Sequence, residues 1–140
     1  MACGSTMPNK NTGIVTPKET PNVLAKATQQ LRTLFEESGQ AMYLFQDDHN
    51  KSCNKRFAQL LGYASPEAWA AVHTSFPNAF VAPASQETLI DTYQAAMNDG
   101  VAASVPVTWK RKDGKTVETD VILVPLDVDG TRLALHFITA

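Results

Sequence analysis

The sequence is poor in cysteine: Cys3 and Cys53 are the only two, with no metal-ligand spacing between them. That excludes a disulfide framework and a zinc site, and it fits a reducing cytoplasm. No stretch reaches the roughly 18 consecutive apolar residues of a membrane span. Residues 1–21 also lack the apolar centre of a secretory signal. Clustered positive charge is missing too. The 12 Lys and Arg are scattered through a chain of net charge −2, and Lys110-Arg111-Lys112 is the only basic run. A phosphate-reading surface needs several cations on one face, so direct nucleic-acid contact is not expected. The 7 glycines are dispersed at turns and caps, which leaves no phosphate-cradling loop. No G-x-S-x-G occurs to build a nucleophile elbow.

What is present is one domain's worth of periodic sequence. Residues 1–21 are rich in Pro, Asn, Thr, Lys and Gly and read as a flexible leader. Thr20-Pro21-Asn22 then supplies a capping hydroxyl and a proline for a helix start. Val23, Leu24, Ala27, Leu31, Leu34 and Phe35 follow with helical spacing, and Gly39 is placed for a left-handed cap, giving a helix over 22–38. Ala41 to Gln46 is a short aromatic-rich strand entering the turn Asp47-Asp48-His49-Asn50. Lys51 to Lys55 makes a weak, polar strand. Asn54 caps a short helix carrying Phe57, Leu60 and Leu61, closed by Gly62. Ser65-Pro66-Glu67 starts another helix leading to Trp69 and Val72, and residues 73–83 read as loop with one helical turn.

Ser85 opens the clearest internal helix, with Leu89, Ile90, Tyr93, Ala96 and Met97 on one face and Asn98-Asp99-Gly100 as its stop. The period then changes to two. Val105, Val107 and Trp109 alternate with polar residues, so Trp109 is expected in the core. Asp113-Gly114 and Asp129-Gly130 are two hairpin turns that divide the remainder into three strands. The order is that of an α+β domain with an antiparallel sheet.

Several stretches, in this order, resemble the PAS domain family. Phe35-Glu36-Glu37-Ser38-Gly39-Gln40-Ala41-Met42 resembles the family's entry into its first strand. Asn54-Lys55-Arg56-Phe57 with Leu60-Leu61-Gly62-Tyr63 resembles its N-x-x-F…LLGY segment, and Ser65-Pro66-Glu67 follows at the usual distance. Trp109 to Gly114 resembles the RRKDG turn, Val124-Pro125-Leu126 with Asp129-Gly130 the PL…DG hairpin, and Phe137-Ile138-Thr139 the DIT ending. The resemblance covers roughly residues 23–140. One departure is the short, polar segment between Asp47 and Asn54, which predicts a stunted second strand.

The resemblance implies a five-stranded antiparallel sheet with helices on one face, an N-terminal flanking helix, and a PAS domain over 39–140. It further implies a non-catalytic module of signal transduction. Such a module regulates an effector (a histidine kinase, a nucleotide cyclase or a transcription regulator) joined in the same chain or bound in trans. At Thr139-Ala140 family members run into a signalling helix, so the chain reads as a fragment of a larger regulator or a stand-alone module.

The space between sheet and helices then holds a small organic ligand or is filled by side chains. Its candidate lining is Phe57, Leu61, His73, Leu89, Tyr93, Met97, Val121 and Leu123. Flavin is not expected, because nothing between Tyr63 and Ser85 matches the N-C-R-F-L-Q motif of the blue-light subfamily. Haem is not expected, because the Ser85–Asn98 helix carries no histidine; His49 lies in a turn, His73 in a loop and His136 on the last strand. The stripe of Val23, Ala27, Leu31, Leu34 and Phe35 suits either homodimer pairing or docking on the chain's own sheet. The rival reading is a cone-like α+β ligand binder or isomerase. It needs an acid inside the pocket, and Glu118 and Asp120 are its candidates.

Overall fold

Alternation of apolar and polar residues after Gly100 dictates strands whose odd-numbered positions turn one way. The computed structural model, which describes residues 23–140, has that arrangement. Strand β3 (Ala103–Lys110) buries Val105, Val107 and Trp109 while Ser104 and Pro106 face solvent. It pairs antiparallel with β4 (Thr116–Val128), and β4 with β5 (Thr131–Thr139). Asp129 and Gly130, at φ 50° and 81°, join β4 to β5. Positive φ at both turn residues is the type I′ geometry that matches strand twist, which is why Asp-Gly stands there.

β1 (Ala41–Asp47) pairs with β5 on one side and β2 (Asn50–Cys53) on the other. The sheet is therefore five antiparallel strands in the order β2-β1-β5-β4-β3. β2 is only four residues long, and its register slips between Phe45 and Asp47. The stunted strand expected from the polar Asp47–Asn54 segment is present. Pro106 lies on the edge strand β3, where a missing N–H costs nothing on the outward side.

Two layers cover the two faces. On the inner face lie α3 (Lys55–Leu60), α4 (Pro66–Ala70), α5 (Phe76–Phe80) and α6 (Pro83–Asp99). Their core is aromatic: Tyr43, Phe57, Trp69, Phe76, Phe80 and Trp109 are all buried in it. Asn54 and Ser65 cap α3 and α4 by accepting from Phe57 N and Ala68 N.

On the outer face lie α1 (Val23–Gln30) and α2 (Arg32–Glu37). Ala27 and Phe35 pack there with Met42, Leu44, Val128, Leu133 and Leu135. The flanking helix is docked on its own sheet.

Some sequence expectations are corrected. The helix expected over 22–38 bends at Leu31, whose φ of −95° and ψ of 5° leave the helical region. The Leu31 and Phe35 amides still reach carbonyls four residues back, so the two segments stay continuous. Gly39 adopts no left-handed conformation; Ser38, in extended backbone, ends α2. The long helix starts at Pro83 rather than Ser85, because proline's fixed φ suits the first turn. The Ser85 hydroxyl accepts instead from Thr108 N of β3. The helical turn expected within 73–83 is present at Phe76–Phe80, held by burial of Phe76 and Phe80 rather than by a capping side chain. The leader and the Thr20 cap lie outside the described residues.

Candidate functional site

The inner face of β1 presents Tyr43 and Phe45, two residues apart and so on one side of the strand. Across the ladder Tyr43 is paired with His136 of β5, and their rings stack at 3.9 Å with 10° between planes. α6 brings Leu89, Ile90, Tyr93 and Gln94, a spacing that puts all four on one helical face. Phe76 and Pro77 come from the start of α5, and Asp48 from the β1–β2 turn. Together these ten residues line a largely apolar, partly open pocket of about 190 Å³.

The turn and α5 are tied to each other. Asp48 Oδ1 accepts from Phe76 N at 3.0 Å, while Lys51 Nζ donates to the carbonyl of Asp48 at 2.8 Å. Lys51 also donates to the carbonyls of Ala70 and Val72, and its ammonium stands 5.3 Å from the Trp69 ring centroid. Only 4% of Lys51 is exposed. Burial lowers its pKa, opposed by Asp48 and Asp47. Its charge is thus spent on backbone carbonyls at the end of α4, not on the cavity.

His136 is fully enclosed, and burial pushes its pKa down to about 3, against weaker support from its backbone contacts. Its Nδ1 lies 3.2 Å from the Ala134 carbonyl. The ring is therefore neutral at physiological pH. Burial raises the Tyr43 phenol well above its ordinary value, and Tyr93 rises for the same reason with help from Asp47. Cys53 sits on β2 with its pKa pushed by burial up to about 12, which removes it as a nucleophile.

Of the residues expected from sequence to line a pocket, Leu89 and Tyr93 border the cavity. Phe57 and Leu61 are wholly buried in the aromatic core, Phe57 with its ring 4.7 Å from that of Tyr43. Val121 belongs to that same core. Leu123 and Met97 meet in a separate cluster under the end of α6. His73 is exposed beside His49, ring centroids 4.6 Å apart, and does not border the cavity. Glu118 and Asp120 are both exposed; Thr119, Val121 and Leu123 take the inward positions. The acid that the isomerase reading needs does not come from β4. Tyr43, Phe45, Asp48, Phe76 and His136 line the cavity without having been singled out. The i, i+2 aromatic pair of β1 was the available signal. Among the described residues no group of three or more His, Cys, Asp or Glu could hold a metal, and no helix is long and apolar enough to cross a membrane.

A five-stranded antiparallel sheet with aromatic-packed helices over one face, a flanking helix on the other and a small, partly open pocket makes up the α+β architecture. The sequence model of the PAS domain matches residues 29–94. The chain contains a PAS domain.

No curated protein matches the chain in sequence. Solved structures share its fold. The PAS domain of an HTR-like protein from Haloarcula marismortui is 22% identical, with a TM-score of 0.60 over 86% of this chain and 97% of that one. A domain of the sensory box sensor histidine kinase/response regulator from Geobacter sulfurreducens is 16% identical, with a TM-score of 0.60 over 84% and 96%. A light-oxygen-voltage domain, solved in a study of a flavin analogue, is 19% identical, with a TM-score of 0.55 over 81% and 82%.

Proposed function

We propose that this PAS domain senses a compact organic ligand in the cavity between β1, β5, α5 and α6. It reports occupancy to an effector of the histidine kinase, nucleotide cyclase or transcription regulator kind, in the same chain or bound in trans. The observation that carries this reading is the cavity itself: a concave, mostly apolar space with a few polar groups is the usual form of a binding site. The Geobacter relative, a domain of a sensor histidine kinase, supports the effector class.

Size favours a single-ring or similarly compact ligand. Cavities near 150 Å³ take a benzene-sized guest, whereas drug-sized ligands occupy roughly 300–1,000 Å³. At about 190 Å³ the space as it stands suits a compact guest better than a flavin's fused rings or a haem, which would need buried aromatic side chains to move. Tyr43, Phe57, Trp69, Phe76 and Trp109 already fill the region beside it. Purified protein is expected to lack visible absorption bands.

An NMR-detected screen of compact single-ring and branched molecules tests the reading. Binders should shift the resonances of Tyr43, Tyr93 and His136, and Leu89→Trp, which fills the cavity, should abolish the effect. A folded protein with no binder in such a screen would leave only a protein-contact role. For that role Leu34 and Ile122 are the exposed large apolar residues on the helix-covered side, at 41% and 51%. A homodimer through α1–α2 and this side of the sheet is the contact we propose.

A further inference from the structure

We infer that the cavity selects a small organic cation of the methylated-ammonium class; this rests on the ligand-sensing reading above and names the ligand's chemistry.

Four of the ten lining residues are aromatic: Tyr43, Phe45, Phe76 and Tyr93. Their rings meet at steep angles. Phe45 lies 5.1 Å from Phe76 at 73° and 5.7 Å from Tyr93 at 84°. Near-perpendicular rings form adjoining walls rather than one stack, which offers a compact guest aromatic contact from more than one side. The negative face of an aromatic ring attracts a cation, most strongly once water is excluded.

Among the lining residues the carboxylate is an acid with no basic side chain beside it. Asp48 is the only ionisable acid or base in the lining besides the phenols and the imidazole, and no Lys or Arg borders it. The Asp48 carboxylate keeps its fixed position because Phe76 N donates to one oxygen. Lys51, the cation beside it in sequence, is turned toward the Asp48, Ala70 and Val72 carbonyls. His136 adds no positive charge, since burial keeps its ring neutral. An anionic ligand would meet a carboxylate and no cation in the lining; a neutral ligand would leave the Asp48 charge without an opposite one there. A cation of trimethylammonium shape satisfies both the rings and the carboxylate, and its bulk suits about 190 Å³.

The test compares choline with its neutral carbon isostere, in which a tert-butyl group replaces trimethylammonium. The two have nearly the same shape and differ in charge. Titration calorimetry on the full chain should give choline at least about tenfold tighter binding, the ratio that a desolvated cation–π contact supplies. Asp48→Asn keeps the oxygen that caps Phe76 N, so it should fold normally. It should weaken choline several-fold while leaving the isostere unchanged. Phe45→Leu should likewise weaken choline more than the isostere. Equal or tighter binding of the isostere overturns the inference and leaves ligand sensing standing. So does binding of neutral single-ring molecules with none of choline. If no compact molecule binds at all, the ligand-sensing reading itself fails.

Discussion

Asn54 and Met42 hold each other by two hydrogen bonds. The Asn54 amide donates to the Met42 carbonyl at 3.1 Å, and the Met42 amide donates to Asn54 Oδ1, also at 3.1 Å. The same Oδ1 accepts from Phe57 N at 3.0 Å, and Nδ2 donates to the Gln40 carbonyl at 2.8 Å. One buried amide thus caps α3 and replaces a missing ladder partner at the start of β1. Asn54→Ala removes a cap and strands the buried Met42 N–H, at a cost of about 3 kcal/mol. Urea denaturation should read that loss; a change under about 1 kcal/mol would mean that water substitutes for the amide.

Trp109 is wholly buried, and its indole N–H donates to Thr119 Oγ1 at 2.8 Å, which donates onward to the Val107 carbonyl at 3.0 Å. Trp109→Ala is expected to cost roughly 3–5 kcal/mol, the range for emptying a large buried aromatic site. Thr119→Val keeps the volume but orphans the indole N–H, and should cost about 1–3 kcal/mol. If Thr119→Val proved neutral in thermal denaturation, the indole bond would carry no net stability.

His136 makes stability fall with acidity. Its folded pKa, about 3, lies below the ordinary 6.5. The unfolded chain therefore binds the proton between these values and the folded one does not. The contribution is full above pH 6.5 and is lost as pH falls toward 3. Between pH 7 and pH 4 it amounts to about 3 kcal/mol. His136→Phe, which keeps a ring against Tyr43, should show a flatter stability–pH curve. Parallel curves for the two proteins would falsify the assignment.

Removing residues 1–37 takes away α1 and α2 and uncovers Met42, Leu44 and Leu135 on the outer face. The truncated protein should keep its sheet by circular dichroism but aggregate in light scattering, because apolar patches of that kind seldom stay solvated. In the full chain, Leu34→Asp with Ile122→Asp should shift a dimer toward monomer in sedimentation without loss of folding. A full chain that is monomeric at high micromolar concentration rules out the dimer.

Much of the fold was legible because its signals are local. The alternation of Val105, Val107 and Trp109, the two Asp-Gly turns and the apolar face from Leu89 to Met97 each fix an element within a few residues. The helical turn within 73–83 was legible but its bounds were not, since burial of two phenylalanines sets them and no capping side chain announces Phe76–Phe80. The cavity was legible only in part. Leu89 and Tyr93 lie on a periodic helix, but Asp48 reaches Phe76 and His136 reaches Tyr43 only after the chain has folded. A polar turn residue such as Asp48 reads as solvated until its distant partner is known.

Strand β1 is a partition shared by two compartments. Tyr43 and Phe45 line the cavity, while Met42 and Leu44, which alternate with them, carry the flanking helix. Nothing thicker than one backbone separates the two. A guest that tilts Tyr43 or Phe45 by a fraction of an ångström must therefore tilt the seat of α1 as well, because alternate side chains share the same rigid pleat. The strand is a see-saw plank, and the flanking helix rides on its far side.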